Sequence, residues 1–359
     1  MHIPDNAPTP ISTRVERFET IVIGAGQAGL AAGYFLSQAD ADFVLLDAGA
    51  EVGEQWRNRW DSLRLTTPAA FAGLPGMPFP APPDHLPDKD EVADYLSRYA
   101  DRFDLPVRLR TRVSALRWNG TRYRIETGTV TYEADNVIVA SGAFHAPSIP
   151  TLATRLSPDI LQLHSNHYRS PFDLPDGPVL VVGAGSAGAH IALELARFQE
   201  VHLSGRAPGF LPRRLLGRDI YAWLWPLAER LTMDTVLGRR WRDAWPADPL
   251  VGISEARLAG AGVTRHERLS DVHDGRPVLG GTPRDIRTVV WATGSTPDLS
   301  WLHVPGAVLG NYPRMTRGVA VESPGLYFVG LRYQYRRTSS LLGGVGADAA
   351  HVVGHLLRR

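Results

Sequence analysis

Residues 20–29 read Thr20-Ile21-Val22-Ile23-Gly24-Ala25-Gly26-Gln27-Ala28-Gly29. The first four form a short, mostly apolar run, the pattern of a buried parallel strand. The next six have the spacing G-x-G-x-x-G. Leu30 to Gln38 is Ala-rich and reads as a helix, and Phe43 to Leu46 reads as a second strand that ends at Asp47. Glycines at this spacing allow a tight turn, a close approach of backbone to a pyrophosphate, and close packing of helix on sheet. The helix N-terminus adds free N–H groups and the positive end of its dipole. Asp47 stands 23 residues after Gly24, where a carboxylate accepts from a ribose hydroxyl. Strand, turn, helix, strand and acid together describe a phosphate-and-ribose cradle. Its candidate contacts are Gly24, Gly26, Gln27, Ala28, Gly29, Asp47 and Ala48.

The pattern occurs twice. Val179 to Val182 is again apolar, and Gly183-Ala184-Gly185-Ser186-Ala187-Gly188 repeats the turn 159 residues later. Ile191 to Phe198 reads as its helix and Val201 to Leu203 as the next strand. Gly183, Gly185, Ser186, Ala187 and Gly188 are the matching contacts. The end of this unit differs, because Ser204-Gly205-Arg206 replaces the acid. A carboxylate repels a 2′-phosphate, whereas a hydroxyl and a guanidinium bind one. The second unit is therefore expected to take NADPH rather than NADH, through Ser204 and Arg206.

Two more strand ends look alike. Asn136 to Val139 runs into Ala140-Ser141-Gly142, and Val289 to Trp291 runs into Ala292-Thr293-Gly294. Small residues there let the chain cross close to a bound cofactor. Near the C-terminus, Gly325 to Gly330 is followed by Leu342-Gly343-Gly344-Val345-Gly346, which opens a last helix through Leu357. N–H groups at such a start suit the electron-rich edge of an isoalloxazine ring. The expected architecture is α/β, with two dinucleotide-binding Rossmann-like domains and the NADPH domain inserted into the FAD domain. Residues 1–17 are expected as a loose tail, 18–170 and 286–359 as the FAD-binding domain, and 171–285 as the NADPH-binding domain. The insert holds a Trp-rich helical segment, 220–246, with Trp223, Trp225, Trp241 and Trp245. It reads either as a hairpin that packs through its tryptophans or as an aromatic lid or membrane-touching surface.

Composition narrows the chemistry. A chain of 359 residues with 44% hydrophobic and 21% charged residues is that of a globular protein of about two domains. The net charge of +1 leaves no footprint for nucleic acid. No apolar run approaches the roughly 20 residues of a membrane span, and the first 17 residues lack a signal-like stretch. A cytoplasmic protein is expected, with a homodimer as an open option. The cysteine count is zero, which excludes a redox dithiol, an iron–sulfur cluster and a Cys zinc site. No metal site is expected, since His164 and His167 have no further ligands nearby.

The chain resembles the flavin-containing monooxygenases, close to the plant indole-pyruvate monooxygenase type, from about residue 18 to 355. The resemblance rests on Gly24 to Gly29, Gly53-Glu54-Gln55-Trp56-Arg57, Leu74 to Pro80, Gly183 to Gly188, Leu211-Pro212-Arg213 and Ala292-Thr293-Gly294. It also rests on the second half of that family's signature, His164-x-x-x-Tyr168-Arg169. The signature's Phe and Gly are Pro158 and Ile160 here. The resemblance implies FAD on the first turn, NADPH on the second, and the Gly53–Arg57 segment beside the flavin. It adds Gln55, Trp56, Arg57, Val113, Ala140, Ser141, Gly142, Arg213, Ala292, Thr293, Gly294, Gly330, Leu342 and Gly343 as cofactor contacts. The animal enzymes' active-site Asn falls on Thr66, so Thr66, Gln55 and Arg57 are the candidate catalytic shell at the flavin edge. The implied reaction is hydride transfer from NADPH to the flavin. Addition of O2 as a C4a-hydroperoxyflavin follows, then oxygenation of a small organic substrate at nitrogen, sulfur or a carbonyl centre. A flavin disulfide reductase has the same layout but needs the missing cysteines. An NADPH oxidase or diaphorase and a non-catalytic redox-sensing flavoprotein stay open as alternatives.

Overall fold

The computed structural model describes residues 14–244 and 248–359. Strand β1 (Arg14–Ile23) carries the opening apolar run at its buried end. The turn leads into α1 (Gln27–Ser37) and β2 (Phe43–Leu46). Next come α2 (Glu54–Arg57), α3 (Lys89–Arg102), β3 (Val107–Arg108), β4 (Val113–Trp118), β5 (Tyr123–Thr127) and β6 (Val130–Val139). The middle of the chain gives β7 (Leu161–His164), β8 (Val179–Val182), α4 (Ser186–Leu195), β9 (Val201–Ser204), α5 (Ile220–Arg230) and α6 (Val236–Ala244). It continues with α7 (Glu255–Gly260), β10 (Val263–His266) and β11 (Thr288–Trp291). The last part adds β12 (Met315–Thr316), β13 (Val319–Ala320), β14 (Leu326–Phe328) and α8 (Val345–Leu356).

Among the described residues these strands build two main sheets. The first runs β12-β13-β14-β6-β1-β2-β3, with β4 and β5 as an arm on β6. Its centre is parallel, with Thr20 opposite both Phe43 and Asn136. Val22, Leu45 and Ile138 face a core shared with α1, α3 and α8, while Ile21, Ile23, Val137 and Val139 face the opposite core. Successive side chains alternate faces, and both faces are covered, so the run has to be apolar throughout. The second sheet runs β10-β9-β8-β11-β7, all parallel. It splits the same way, with Val179 and Val181 on one face and Leu180 and Val182 on the other. The fold is thus mixed α/β around parallel strands. Trp56 packs against a core of each sheet, so the Gly53–Arg57 segment sits where the sheets meet.

Several boundaries differ from expectation. Residues 14–17, read as tail, extend β1, where Arg14–Phe18 pairs with Val130–Ala134. Ion pairs Glu16–Arg108 (2.5 Å) and Arg17–Glu133 (3.0 Å) hold it, and a polar edge strand of this kind has no apolar run to announce it. The expected domain limits at 170 and 286 also move. Strands β7 and β11 pair with each other and with β8 on the second sheet, so the chain crosses before 161 and after 291. The crossings run side by side, with Ser148 N–H donating to the Gly294 carbonyl at 2.9 Å. Finally, α1 begins at Gln27 rather than Leu30, and α4 begins at Ser186 and stops at Leu195. The middle glycine of each turn is the N-cap, so the end of the turn is already helix. The Trp-rich segment forms α5 and α6, while Trp245 and Pro246 lie outside the described residues. Among the described residues no helix is long and apolar enough to cross a membrane.

Candidate functional site

The two glycine turns share one geometry. Gly24 has φ +106°, and a Cβ there would lie 2.5 Å from the Ala140 carbonyl oxygen and 3.2 Å from Ser141 Cα. A Cβ on Gly29 would collide with the Gly24 carbonyl. In the second turn Gly183 has φ +110° and would press on Ala292, and Gly188 would collide with the Gly183 carbonyl. These four glycines are required by the protein itself. Gly26 and Gly185 are not. Their φ values of −75° and −71° suit any residue, and a Cβ on either would meet nothing within 4 Å. A bare backbone facing open space makes sense when a ligand must lie against it. Neither helix has a side-chain cap or an acid in its first turn, so their N–H groups are available to an anion.

Around the first turn the chain gathers the expected segments. Asp47 accepts from Ala25 N–H through Oδ2 and from Gly49 N–H through Oδ1, each at 2.7 Å. It therefore fixes the turn, and each oxygen keeps a lone pair for a ribose. Ala48 is exposed beside it. Thr111 N–H donates to the Asp47 carbonyl at 2.7 Å, which brings the start of β4, with Val113, to the same edge. Gln27 donates Nε2 to the Ser340 carbonyl at 2.9 Å. A Cβ on Gly330 would lie 2.6 Å from the Ala28 Cβ, and one on Gly343 would collide with the Phe71 carbonyl. So Gly330 closes on the start of α1, Leu342 joins the core that α1 packs into, and Gly343 seats the same loop on Phe71. Gly142, with φ +91°, completes the crossing after β6.

The candidate catalytic shell is only partly assembled. Gly53 takes φ +89° because a Cβ would meet the Ala93 backbone at 2.7 Å, and this seats α2 on α3. Gln55 is exposed. Arg57 differs from expectation, because its guanidinium is bound to Glu51 and Asp94, each at 2.6 Å. Those partners and the hydrogen bond to Asp94 above all raise its pKa, so it braces the loop instead of facing a ring. Thr66 has partners that its position in the sequence does not announce. Tyr221, on α5, donates its hydroxyl to Thr66 Oγ1 at 3.1 Å. Arg213 donates Nη1 to the Thr66 carbonyl at 2.5 Å and pairs with Asp219 at 2.8 Å. Burial pushes the Tyr221 pKa up, so the phenol stays protonated and donates. Close by, an apolar cavity of about 610 Å³ opens between residues 69–83, Trp225 and Gly343. The hydroxyls of Tyr95 and Tyr99 hold its floor by donating to the Met77 and Pro75 carbonyls at 2.6 Å each.

In the second unit Ser204 overturns its expected role. It is fully buried, donates to the Glu267 carbonyl at 2.7 Å and accepts from Leu269 N–H at 2.8 Å. With both capacities used inside the protein, it anchors the segment after β10 and is closed to a phosphate. Arg206 remains exposed and lines a cavity of about 540 Å³ with Arg265, His266 and Arg268. Arg265 is held by Glu255 and by the Leu203 and Gly205 carbonyls, leaving Arg206 and Arg268 to face the opening. No motif announces Arg268, because it follows β10, a strand that meets β9 only in the folded sheet. His164 accepts the Asn166 N–H at Nδ1 and donates from Nε2 to the Gly294 carbonyl at 3.0 Å, so it ties the end of β7 to the crossing after β11. His190, which had no expected role, donates Nδ1–H to the Ser186 carbonyl at 2.7 Å.

Residues 21–231 match the family described as pyridine nucleotide-disulphide oxidoreductase. An uncharacterized CzcO-like oxidoreductase of Geobacillus kaustophilus is 39% identical, over 94% of this chain and 98% of that protein. The probable indole-3-pyruvate monooxygenase YUCCA9 of Arabidopsis thaliana is 28% identical over 78% of this chain and 63% of its own length. The solved flavin-containing monooxygenase of Stenotrophomonas maltophilia superposes with a TM-score of 0.80 at 27% identity, over 96% of this chain and 99% of that one. On its paired glycine turns and these likenesses, the chain belongs to the pyridine nucleotide-disulphide oxidoreductase family by its matched residues and is a member of the flavin-containing monooxygenase family.

Proposed function

We propose that this protein is an FAD-dependent, NADPH-consuming monooxygenase that oxygenates a small organic substrate at a nitrogen, sulfur or carbonyl centre. The two sheets then act as two Rossmann-like dinucleotide-binding domains, the second inserted into the first. The observation that carries this reading is the pair of middle glycines, Gly26 and Gly185, whose bare backbones face open space at uncapped helix starts. The first turn, with Asp47, suits FAD. The second turn, with Arg206 and Arg268 just past the ends of the adjoining strands β9 and β10, suits NADPH. Bound there, the flavin supplies hydride acceptance and oxygen activation.

The chain's own residues have simpler tasks. Gly330, Leu342 and Gly343 shape the space next to α1 that would receive the flavin ring. Thr66 Oγ1 accepts from Tyr221 and keeps its own proton to donate into the cleft. Trp225 stacks on Phe71 with ring centroids 5.2 Å apart and limits water at the mouth of the apolar cavity. The absence of cysteine removes the dithiol that disulfide reductases of this fold use, so reducing equivalents go to O2 or to a small acceptor.

The test is to purify the protein, measure flavin per chain, reduce it anaerobically with NADPH or NADH, and then admit O2 with amines, sulfides, ketones and 2-oxo acids in turn. Oxygenated product with reduced peroxide yield supports the monooxygenase. Stoichiometric peroxide with every acceptor makes it an NADPH oxidase instead, and failure of NADPH to reduce the flavin leaves a redox-sensing flavoprotein.

A further inference from the structure

Between the two units stands a pair of arginines that has no counter-charge among the described residues. Arg59 follows α2 and donates Nη1 to Asn166 Oδ1, beyond β7, at 2.9 Å. Asn166 donates Nδ2 to the Phe144 carbonyl and to Ser295 Oγ, each at 3.2 Å, so it is tied to both chain crossings. Arg169 donates Nη1 to the Asn166 and Tyr168 carbonyls at 2.9 and 3.1 Å. Both guanidinium groups are half-buried, and among the described residues neither forms an ion pair. Arg57, Arg108, Arg213, Arg265 and Arg336, also half-buried, each pair with a carboxylate. The neighbouring rings add no negative charge. His164 is held below its usual pKa by burial, with His167 and Arg59 pressing the same way. Burial, and then Arg169, lower the pKa of Arg59.

A guanidinium withdrawn from water beside a second one is costly unless an anion completes the group. The group stands beyond the carboxyl ends of β7 and β11, where ligands of parallel α/β sheets lie. In sheet order it is on the opposite side of β8 from Arg206, so it is separate from the cavity that suits a 2′-phosphate. We propose that Arg59 and Arg169, with Asn166, form a subsite for the anionic oxygen group of a small ligand, either a substrate carboxylate or a phosphate of the nicotinamide cofactor. The guanidinium fork fits both groups. The proposal rests on the reading of this cleft as the place where NADPH and a small substrate meet.

The test uses FAD-loaded protein titrated with benzoate, benzamide and NADP+, read by the change in flavin absorbance. Arg59→Gln and Arg169→Gln are expected to weaken an anionic probe about tenfold or more, the worth of a charge-assisted hydrogen bond, and to leave benzamide unchanged. Arg59→Lys, which keeps the charge and loses the fork, should fall between. A loss confined to benzoate assigns the subsite to a substrate carboxylate, and a loss confined to NADP+ assigns it to the cofactor. Unchanged NADP+ affinity in both Gln variants, with benzoate binding unchanged or undetectable, overturns the proposal. If Arg59→Gln does not fold, Arg169→Gln decides through the same titrations and through sulfate, which should raise the wild-type Tm more than its own. Flavin content and anaerobic reduction by NADPH are followed alongside. Protein that takes up no FAD, or is not reduced, refutes the functional reading, whereas normal reduction with unaltered anion affinities refutes only the subsite.

Discussion

Gly26 and Gly29 are three residues apart and are glycines for opposite reasons. Gly29→Ala sets a methyl against the Gly24 carbonyl, so it should cost about 1–3 kcal/mol of stability by overpacking. Gly26→Ala meets no protein atom. It should change the stability of the flavin-free protein by less than about 1 kcal/mol yet cut the FAD bound per chain; chemical melts and flavin absorbance check both. Arg206→Ala should raise the KM for NADPH about tenfold or more and hardly alter that for NADH. Equal effects on both would remove it from the 2′-phosphate site. Ser204 shows the limit of reading residues by type, since its hydroxyl is the right chemistry turned inward by its burial under β10. Burial also lowers the pKa of His164, His190, His202 and His266. Unfolded histidines titrate near 6.5, so below about that pH the unfolded chain binds more protons than the folded one. This part of the stability is complete above that value and is lost as pH falls through the lower folded values. Tm measured from pH 8 to 5 should therefore drop on the acid side, and His202→Asn should flatten the drop.

Strands and helices next to the glycine turns were legible because their apolar periodicity is local. The Trp-rich hairpin was legible as helix but not in its attachment. By sequence it belongs to the second unit, yet it docks on the loop that leads to Leu342 and Gly343. Arg336 donates Nε to the Glu229 carbonyl at 2.9 Å, Thr338 donates to Glu229 Oε1 at 2.8 Å, and Met233 N–H donates to the Tyr335 carbonyl at 2.8 Å. These partners lie more than 100 residues apart, and no spacing rule reaches that far. The tryptophans divide accordingly. Trp225 packs on Phe71 and Trp241 under Arg337, while Trp223 stays 44% exposed. The hairpin is thus both packed structure and one wall of the apolar cavity. Trp225→Ala should raise the share of peroxide among the oxygen products while the rate of flavin reduction by NADPH holds, measured by product balance and rapid mixing.

At the scale of the molecule, the duplication was readable from two glycine turns 159 residues apart, but the place where the chain changes sheets was not. Strands β6 and β11 end in similar small residues, and only pairing shows that β6 belongs to the first sheet and β11 to the second. What the assembled molecule offers is two uncapped helix starts with open backbone, joined by paired crossings, in a family of oxidoreductases that use a flavin. Rapid mixing of the FAD-loaded protein with NADPH without oxygen, then with oxygen, tests this most directly. Prompt bleaching of the flavin by NADPH, much slower bleaching by NADH, and a delayed return of the oxidised spectrum while NADP+ is retained are the expected result. Absent or equal bleaching by the two nucleotides, or immediate reoxidation with stoichiometric peroxide, would contradict it.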